Sequence, residues 1–215
     1  MSCDNCNSSA DGVATASDKV GACAAGMWVF VVGPSGAGKD TLMDIARDQL
    51  RDCPRIVFAR RIVTRFDTTF EDHDTASEAD FRAMLEAGEL ALDWQAHGLF
   101  YGIHRCWRDA VNSGRIVVCN ISRAIIPKAV RHFSHVSVVL ITAPDDILAI
   151  RIAGRGRDQA AGSRIARNIN HVAEAYADII IDNAGAAVDG ANQLQQHLRK
   201  LNGLSCFASQ NTETY

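Results

Sequence analysis

The stretch of sequence that decides the fold reads Gly33-Pro34-Ser35-Gly36-Ala37-Gly38-Lys39-Asp40-Thr41. It follows the apolar run Trp28–Val32 and precedes apolar residues at helical spacing, which are Leu42, Ile45, Ala46 and Leu50. Glycines let the backbone turn tightly, so that successive N–H groups point into one concavity at the start of the helix. Because the helix N-terminus adds partial positive charge, the stretch predicts a polyphosphate-binding loop between a strand and a helix.

The lysine and the two residues after it indicate the chemistry of this phosphate loop, or P-loop. Lys39 is placed to reach the β- and γ-phosphates as a mobile point charge. The next position usually carries a hydroxyl that binds Mg²⁺, whereas here it is Asp40, followed by Thr41. A carboxylate can also bind Mg²⁺, directly or through water. We therefore expect Mg²⁺ at Asp40 and Thr41; a glycine-rich turn without a ligand is the alternative.

Short apolar runs and amphipathic stretches alternate along the rest of the chain. Further strands are predicted at Ile56–Ala59, Ile116–Asn120, Val136–Thr142 and Asp178–Asp182. Helical spacing recurs after the fourth strand at Ile147, Ile150 and Ile152, while Ser77 and Gly88 are typical of a helix start and a helix stop. This alternation predicts a parallel sheet with helices on both faces, because parallel strands need crossover connections.

Three segments depart from that rhythm. Residues 1–25 and 203–215 lack periodicity and are rich in small and polar residues, which predicts mobile tails. Residues 66–102 begin with a polar stretch and continue with a short helix signal and an alternating stretch, which predicts an inserted subdomain. Ligands in open α/β sheets bind beyond the carboxyl ends of the strands, so we expect this insertion to cover a second substrate.

Composition sets the class of protein. The chain has 215 residues, 47% of them hydrophobic and 22% charged, which suits one sizeable globular domain. A formal net charge of −3 supplies no basic field for nucleic acid or an anionic membrane. The longest apolar runs fall far short of the roughly 20 residues that span a bilayer. We expect a soluble, cytoplasmic protein that binds neither nucleic acid nor membranes.

Cysteine usage favours reduced thiols. The chain has 7 cysteines, an odd number at irregular spacing. Cys3 and Cys6 have the spacing of a metal-ligand pair, but no second pair or Cys/His cluster is placed to complete four ligands. We therefore favour free thiols over a metal site in the N-terminal segment.

Two groups of arginines are placed to hold phosphates. Arg60, Arg61 and Arg65 follow the second predicted strand, at the ligand-binding edge of a parallel sheet. Since arginine forks match phosphate oxygens, this group suits an acceptor that carries its own phosphate; a solvated basic turn is the alternative. The second group surrounds two glycines and is typical of a lid over transferring phosphates, with an exposed loop as the alternative: Arg151, Arg155, Arg157, Arg164 and Arg167.

The segment Asp93–Gly102 mixes aromatic residues, a histidine and glycines, which predicts a wall of the acceptor pocket. Trp94 and Tyr101 are equally compatible with a place in the core. His97 alone is a weak indication of catalysis, because single histidines more often make structural hydrogen bonds. The spacing shows no Ser/His/Asp or Cys/His constellation, so no covalent intermediate is indicated.

In order and spacing, these segments resemble the guanylate kinase-like branch of the nucleoside monophosphate kinases. The similarity covers about residues 27–200 and is carried by Gly33–Thr41, Ile62–Arg65, Trp94–Gly102 and Arg151–Arg157. It implies an α/β P-loop kinase domain at 26–202, in which helices flank a parallel sheet. The acceptor-binding subdomain would be the insertion at 66–102, and an Arg-rich lid would lie at 154–164.

Within that branch, three features look most like the ribose 1,5-bisphosphate phosphokinases. The loop continues Lys39-Asp40-Thr41, the form typical of those enzymes, and Asn120-Ile121-Ser122-Arg123 stands where guanylate kinases are expected to carry an acidic pair. The segment Leu92–Gly102 resembles their acceptor-side motif, and an acidic residue that would read guanine is not evident. The resemblance then implies transfer from ATP to ribose 1,5-bisphosphate, giving 5-phosphoribosyl 1-diphosphate in phosphonate breakdown. A guanylate kinase and an inactive binding module are the alternatives.

The resemblance also implies roles for individual residues. Residues 33–41 would bind ATP, and Lys39 would act in catalysis together with the lid residues Arg155, Arg157 and Arg167. The implied acceptor contacts are Arg61, Arg65, Trp94, His97, Tyr101, Asn120 and Arg123. The sequence is compatible with a homodimer and does not fix the oligomeric state.

Overall fold

The predicted phosphate loop lies at the carboxyl edge of a parallel sheet. The computed structural model describes residues 25–65, 73–153 and 171–208, with side chains described as far as residue 203. The described strands are β1 (Met27–Val32), β2 (Ile56–Phe58), β3 (Arg61–Val63), β4 (His73–Thr75), β5 (Leu90–Ala96), β6 (Leu99–His104), β7 (Ile116–Asn120), β8 (Val136–Thr142) and β9 (Ile179–Asp182). The large sheet has the order β2-β7-β1-β8-β9 and is parallel throughout.

Helices flank this sheet, as the alternating pattern predicts. They are α1 (Lys39–Gln49), α2 (Glu78–Glu86), α3 (Cys106–Asn112), α4 (Ile126–His132), α5 (Asp145–Ala153) and α6 (Ala187–Ala208), with a 3₁₀ turn at Arg123–Ile125; the described residues 171–176 are also helical. At the start of α2, the Ser77 side chain accepts a hydrogen bond from the Asp80 backbone N–H. Gly88 adopts a positive φ of 67° just beyond the helix. Both predicted helix boundary signals are therefore confirmed.

The core lies on the two faces of the large sheet. In β1, the side chains of Trp28 and Phe30 pack into one cluster with α3 and α4, whereas Val29 and Val31 pack into the other with α1 and α6. Every residue of β7 is buried. β1, β7 and β8 are therefore the central strands, with helices on both of their sides, whereas β2 and β9 form the edges of the sheet and are less buried.

A second sheet of order β4-β3-β6-β5 stands beside the first. It is mixed, since β3 pairs parallel with β4 and antiparallel with β6. The chain leaves the large sheet after Phe58, so Arg61 is the first residue of β3 rather than part of a loop at the edge of β2. The described part of this sheet thus spans Arg61–His104; the predicted subdomain boundaries at 66 and 102 stay predictions.

Two details of the predicted pattern are wrong. Ile150 is 72% exposed, whereas its spacing predicts a buried position on α5. Instead Leu148 and Ile152 face the phosphate loop, where a Cβ on Gly36 would lie 3.1 Å from the Leu148 carbonyl oxygen. Helix α6 also continues to Ala208, past the predicted tail start at Gly203, since one glycine lowers helix stability by only about 1 kcal/mol.

Among the described residues, no helix is long and apolar enough to cross a membrane. The predicted tails lie largely outside the described ranges, and the predicted lid at 154–164 lies wholly outside them.

Candidate active site

The phosphate loop leaves β1 in a backbone conformation that side chains would obstruct. Gly33 has a φ of 154°, and a Cβ there would lie 2.0 Å from the Ile141 carbonyl oxygen on β8. Gly38, with a φ of 86°, is the N-cap of α1, and no described side chain caps this helix end. The first N–H groups of α1 are therefore left to bind an anion.

Lys39 lies folded back over the mouth of the loop. Its Nζ donates hydrogen bonds to the carbonyl oxygens of Gly33 and Pro34, each at 3.0 Å. The ammonium group is thus held beside the concavity formed by the loop. A flexible side chain in this place can move from the carbonyls to incoming phosphate oxygens without a change in the backbone.

Asn183, just beyond β9, hydrogen-bonds to the backbone of the phosphate loop. It is buried, and its Nδ2 donates a 2.8 Å hydrogen bond to the Ala37 carbonyl oxygen. The same atom would lie 2.4 Å from a Cβ on Gly38, so the amide packs directly against the backbone at the N-cap. Sequence reasoning missed this residue, because a single asparagine after a strand carries no spacing signal toward a loop far away in the chain.

The carboxylate of Asp40 joins the loop to the neighbouring strand. The Asn120 Nδ2, at the end of β7, donates a 2.8 Å hydrogen bond to Asp40 Oδ1, and an Arg61 guanidinium nitrogen lies 3.8 Å from the same oxygen. Asn120 is 4% exposed, whereas the Asp40 side chain is 30% exposed. The structure therefore brings three of the predicted site residues together in one polar cluster.

A cleft opens beside this cluster, between α1, the start of β3 and the end of β7. It is lined by Asp40, Met43, Asp44, Arg47, Ala59, Arg60, Arg61 and Asn120. Arg60 donates a hydrogen bond to the His73 carbonyl oxygen at 3.2 Å and pairs with Asp74 at 3.3 Å, so it also ties β4 to the cleft. The cleft thus combines cationic and acidic groups next to the phosphate loop.

The predicted aromatic wall lies in the second sheet. Trp94 and Tyr101 are buried and face each other across β5 and β6, with parallel rings 5.4 Å apart. Tyr101 also pairs with Val63 of β3. The rings therefore serve the core beneath the acceptor side, which is one of the two alternatives for them.

His97 lies in a turn of the second sheet, and Arg65 lies two residues after the end of β3. His97 is exposed in the turn between β5 and β6, with a φ of 52° followed by Gly98 at 74°. Two successive positive φ values are typical of a tight hairpin turn. Since Ile62 pairs with Gly102, the turn lies roughly 15 Å along β6 from the level of Arg61, at about 3.3 Å per residue. The structure does not bring His97 to the polar cluster.

Arg123 begins the 3₁₀ turn that follows β7. Ser122 caps this turn by accepting a hydrogen bond from the Ala124 N–H at 3.3 Å. Burial lowers the pKa of the Arg123 guanidinium from its usual range. The turn therefore holds a partly desolvated cation just beyond Asn120.

Other predicted site residues lie outside the cluster or outside the described residues. Thr41 is exposed one position after Asp40, about 100° around the helix axis. Arg155, Arg157 and Arg167 belong to the part of the chain that is not described. Within the described residues, no group of three or more His, Cys, Asp or Glu side chains is arranged to hold a metal ion.

Comparison with known proteins identifies the family. The chain is 44% identical over 174 residues to ribose 1,5-bisphosphate phosphokinase PhnN of Rhodopseudomonas palustris, which covers 81% of this chain and 89% of that protein. It is 47% identical over 176 residues to the protein of the same name from Methylobacterium radiotolerans, which covers 81% of this chain and 98% of that protein. This chain belongs to the ribose 1,5-bisphosphate phosphokinase family.

The fold agrees with that assignment. A guanylate kinase from Anaplasma phagocytophilum superposes with a TM-score of 0.63 at 20% identity, over 82% of this chain and 86% of that one. A search against models of protein families finds no match. The expected guanylate kinase-like α/β fold is confirmed, and so is the resemblance to the ribose 1,5-bisphosphate phosphokinases.

Proposed function

We propose that this chain transfers the γ-phosphoryl group of ATP to the 1-phosphate of ribose 1,5-bisphosphate, giving 5-phosphoribosyl 1-diphosphate and ADP. The observation that carries the proposal is the preformed phosphate loop next to a cleft with Arg61 and Asn120, in a member of this family. The loop suits a nucleotide polyphosphate, and the cleft suits an acceptor with phosphates of its own.

The transfer needs no covalent intermediate and no strong base. An oxygen of the acceptor's 1-phosphate forms the new bond to the γ-phosphorus, and the bond from that phosphorus to the β,γ-bridging oxygen breaks as ADP leaves. A phosphate oxygen is already ionised near neutral pH, so no proton has to be removed. This agrees with the described lining of the cleft, which contains no histidine.

Positioning and charge neutralisation supply the rate. Lys39 would move from the carbonyls of Gly33 and Pro34 to the transferring phosphoryl group. The N–H groups of Ser35, Gly36 and Gly38 and of the α1 N-terminus would hold the β-phosphate. Arg155, Arg157 and Arg167 stay predicted as lid residues that neutralise charge in the transition state.

Asp40 fits Mg²⁺ by the chemistry of its donor atoms. A half-buried carboxylate beside a phosphate loop is a hard oxygen ligand, and Mg²⁺ commonly uses one or two carboxylates together with phosphates and water. When bound, Mg²⁺ neutralises phosphate charge and fixes the geometry of the triphosphate. Thr41 is exposed on another side of α1, so we assign the metal to Asp40 alone.

On the acceptor side we assign direct phosphate contacts to Arg61 and Arg123. Arg61 lines the cleft with only 12% of its side chain exposed, and the partly desolvated guanidinium of Arg123 follows β7. Arg65 stays a predicted phosphate contact, two residues after the end of β3. Trp94 and Tyr101 would support the acceptor side from the core, and His97 would contribute only to the hairpin turn.

The remaining expectations concern partners and location. Absence of nucleic-acid and membrane partners, a cytoplasmic location and the choice between monomer and homodimer stay predictions. The small acceptor and ATP suffice for the proposed reaction, which needs no macromolecular partner.

A direct comparison of acceptors tests the proposal. Purified protein with MgATP is given ribose 1,5-bisphosphate or GMP, and ADP release is followed while the phosphorylated product is identified by mass. We expect kcat/KM for ribose 1,5-bisphosphate to exceed that for GMP at least about 100-fold, because a site built for polar groups rejects a ligand that leaves them unpaired. Higher kcat/KM with GMP would make the chain a guanylate kinase, and transfer to neither would leave the binding module.

A further inference from the structure

Asp40 and Asn120 occupy the two positions whose side chains bind Mg²⁺ in P-loop proteins. Asp40 lies in the first turn of α1, directly after Lys39. Asn120 ends β7, the neighbour of β1 in the sheet, where it pairs with Val31 just before the loop. The hydrogen bond of 2.8 Å from Asn120 Nδ2 to Asp40 Oδ1 joins the two positions.

In P-loop phosphotransferases these two places usually hold a hydroxyl residue after the lysine and an aspartate at the strand end. Here the acidic residue stands on the helix and the neutral one on the strand. The pair still carries one negative charge and is still joined by a hydrogen bond. What differs is the element that supplies the carboxylate.

The two oxygens of Asp40 are unequal. Oδ1 accepts the bond from Asn120 and faces Arg61 at 3.8 Å. Among the described residues, Oδ2 receives no hydrogen bond and no ion pair from a side chain. Because Asn120 is buried at 4% exposure, its amide has little freedom to turn away, and the orientation of the carboxylate is held.

We propose that Asp40 and Asn120 form an exchanged metal pair, in which Asn120 is a positioning residue that holds Asp40 Oδ1 and leaves Oδ2 to the Mg²⁺ of the nucleotide. This inference rests on the proposed ATP-dependent reaction and deepens it. An amide suits position 120 because it donates to Asp40, whereas a second carboxylate would face the first at hydrogen-bonding distance.

If the carboxylate and its neutral partner have exchanged positions, a carboxylate at position 120 should compensate for its loss at position 40. The measurement is ATP affinity by calorimetry in excess EDTA and in excess Mg²⁺, without acceptor, and the readout is the ratio of the two Kd values. In Asp40→Ser we expect the Mg²⁺-dependent gain in affinity to fall at least about 10-fold, since the only carboxylate of the pair is lost. In Asp40→Ser/Asn120→Asp, which restores the usual arrangement, the gain should return to within about 3-fold of the wild type.

Isosteric variants guard against a loss of folding. If thermal unfolding shows that the serine variants are unfolded, Asp40→Asn and Asp40→Asn/Asn120→Asp make the same comparison with nearly unchanged side-chain volume. A purely structural role of Asn120 predicts that each double variant is worse than its single variant. That result would overturn the proposal. So would single variants in which Mg²⁺ raises the affinity for ATP as much as it does in the wild type.

The same titrations separate this inference from the proposed function. A wild-type protein that binds no ATP under either condition contradicts the phosphoryl transfer itself. A wild-type protein that binds MgATP, together with a double variant that is no better than Asp40→Ser, contradicts the exchanged pair alone.

Discussion

The two sides of the cleft are built in different ways. The nucleotide side is one uninterrupted segment whose backbone N–H groups form the site, with Gly33 and Gly38 in conformations that only glycine adopts easily. The proposed acceptor side is assembled from side chains of separate segments, among them Arg61 on β3 and Arg123 on the 3₁₀ turn. One side uses main chain, and the other uses side chains brought together by the fold.

The difference shows where selectivity resides. Backbone groups cannot be changed by substitution without changing the turn itself, so the nucleotide side suits any polyphosphate of the right shape. Side-chain groups can be exchanged one at a time, so the acceptor side determines which phosphorylated molecule is used. Substitutions on the two sides should therefore affect different kinetic constants.

The largest effect is expected at Lys39, whose ammonium group would act on the transferring phosphoryl group. Lys39→Ala should lower kcat at least about 100-fold while the melting temperature stays within a few degrees, because the loss is one of charge at the moving phosphoryl group. Lys200→Ala, an exposed lysine on α6, is the matched control and should retain full activity. More than half of wild-type kcat in Lys39→Ala would remove this lysine from the mechanism.

On the acceptor side, Arg61→Ala should raise the KM for ribose 1,5-bisphosphate about 10-fold or more. Loss of a hydrogen bond to a charged group corresponds to about 1.5–3 kcal/mol. The Kd for ATP should change less than about 3-fold. Arg51→Ala serves as control, since that side chain is 78% exposed and forms an ion pair with the nearby Asp48. Equal changes in both constants would show that Arg61 does not distinguish the two sides.

The nucleotide side could be predicted from the sequence because its signal is local. Residues 33–41 carry the turn, the charge and the flanking strand and helix within one short window. The acceptor side depends on register: only the pairing of Ile62 with Gly102 shows that His97 lies at a distant turn while Arg61 faces Asp40. Spacing along the chain contains no information on such pairing, so these two residues looked equally suitable.

Asn183 gives a finer test of the nucleotide side. Asn183→Ala removes the donor to the Ala37 carbonyl, and we expect the Kd for ATP to rise about 5–10-fold, which corresponds to about 1 kcal/mol for one hydrogen bond. The KM for the acceptor should stay within about 2-fold. Asn192→Ala removes a comparable side-chain bond, to Gln49 on the outer side of α1, and should leave both constants unchanged. A larger effect on the acceptor than on ATP would contradict the support role.

The smallest expected effect lies away from both sides of the cleft, at His197 on α6. Burial lowers the pKa of this imidazole below its usual value of about 6.5, against the opposing effect of Asp178. The unfolded chain therefore binds the proton more readily, so the stabilisation is complete above about pH 6.5 and is lost as the pH falls toward the lowered pKa. His197→Gln, which can still bond the Ser137 hydroxyl, should lose fewer degrees of melting temperature between pH 7.5 and 5.5 than the wild type.

An exposed histidine provides the control for that measurement. His171→Gln, at a site where the side chain is 78% exposed, should follow the wild-type melting temperature at both pH values. Equal pH dependence in His197→Gln and the wild type would show that burial of this imidazole does not contribute to acid sensitivity. Activity at neutral pH should be the same in all three proteins, because Ser137, the partner of His197, lies near the amino-terminal end of β8, away from the phosphate loop.

The hydrogen bond from Asn183 to Ala37 has a consequence for folding during translation. The two residues are 146 positions apart, and α6 bonds to the first helix across similar separations, 143 positions for Asn192 and Gln49. At about 5–20 residues per second, the loop and α1 leave the ribosome roughly 7–30 s before the residues that support them. Translation must therefore proceed past residue 183 before the nascent chain holds its phosphate loop in place, although the loop itself was made much earlier.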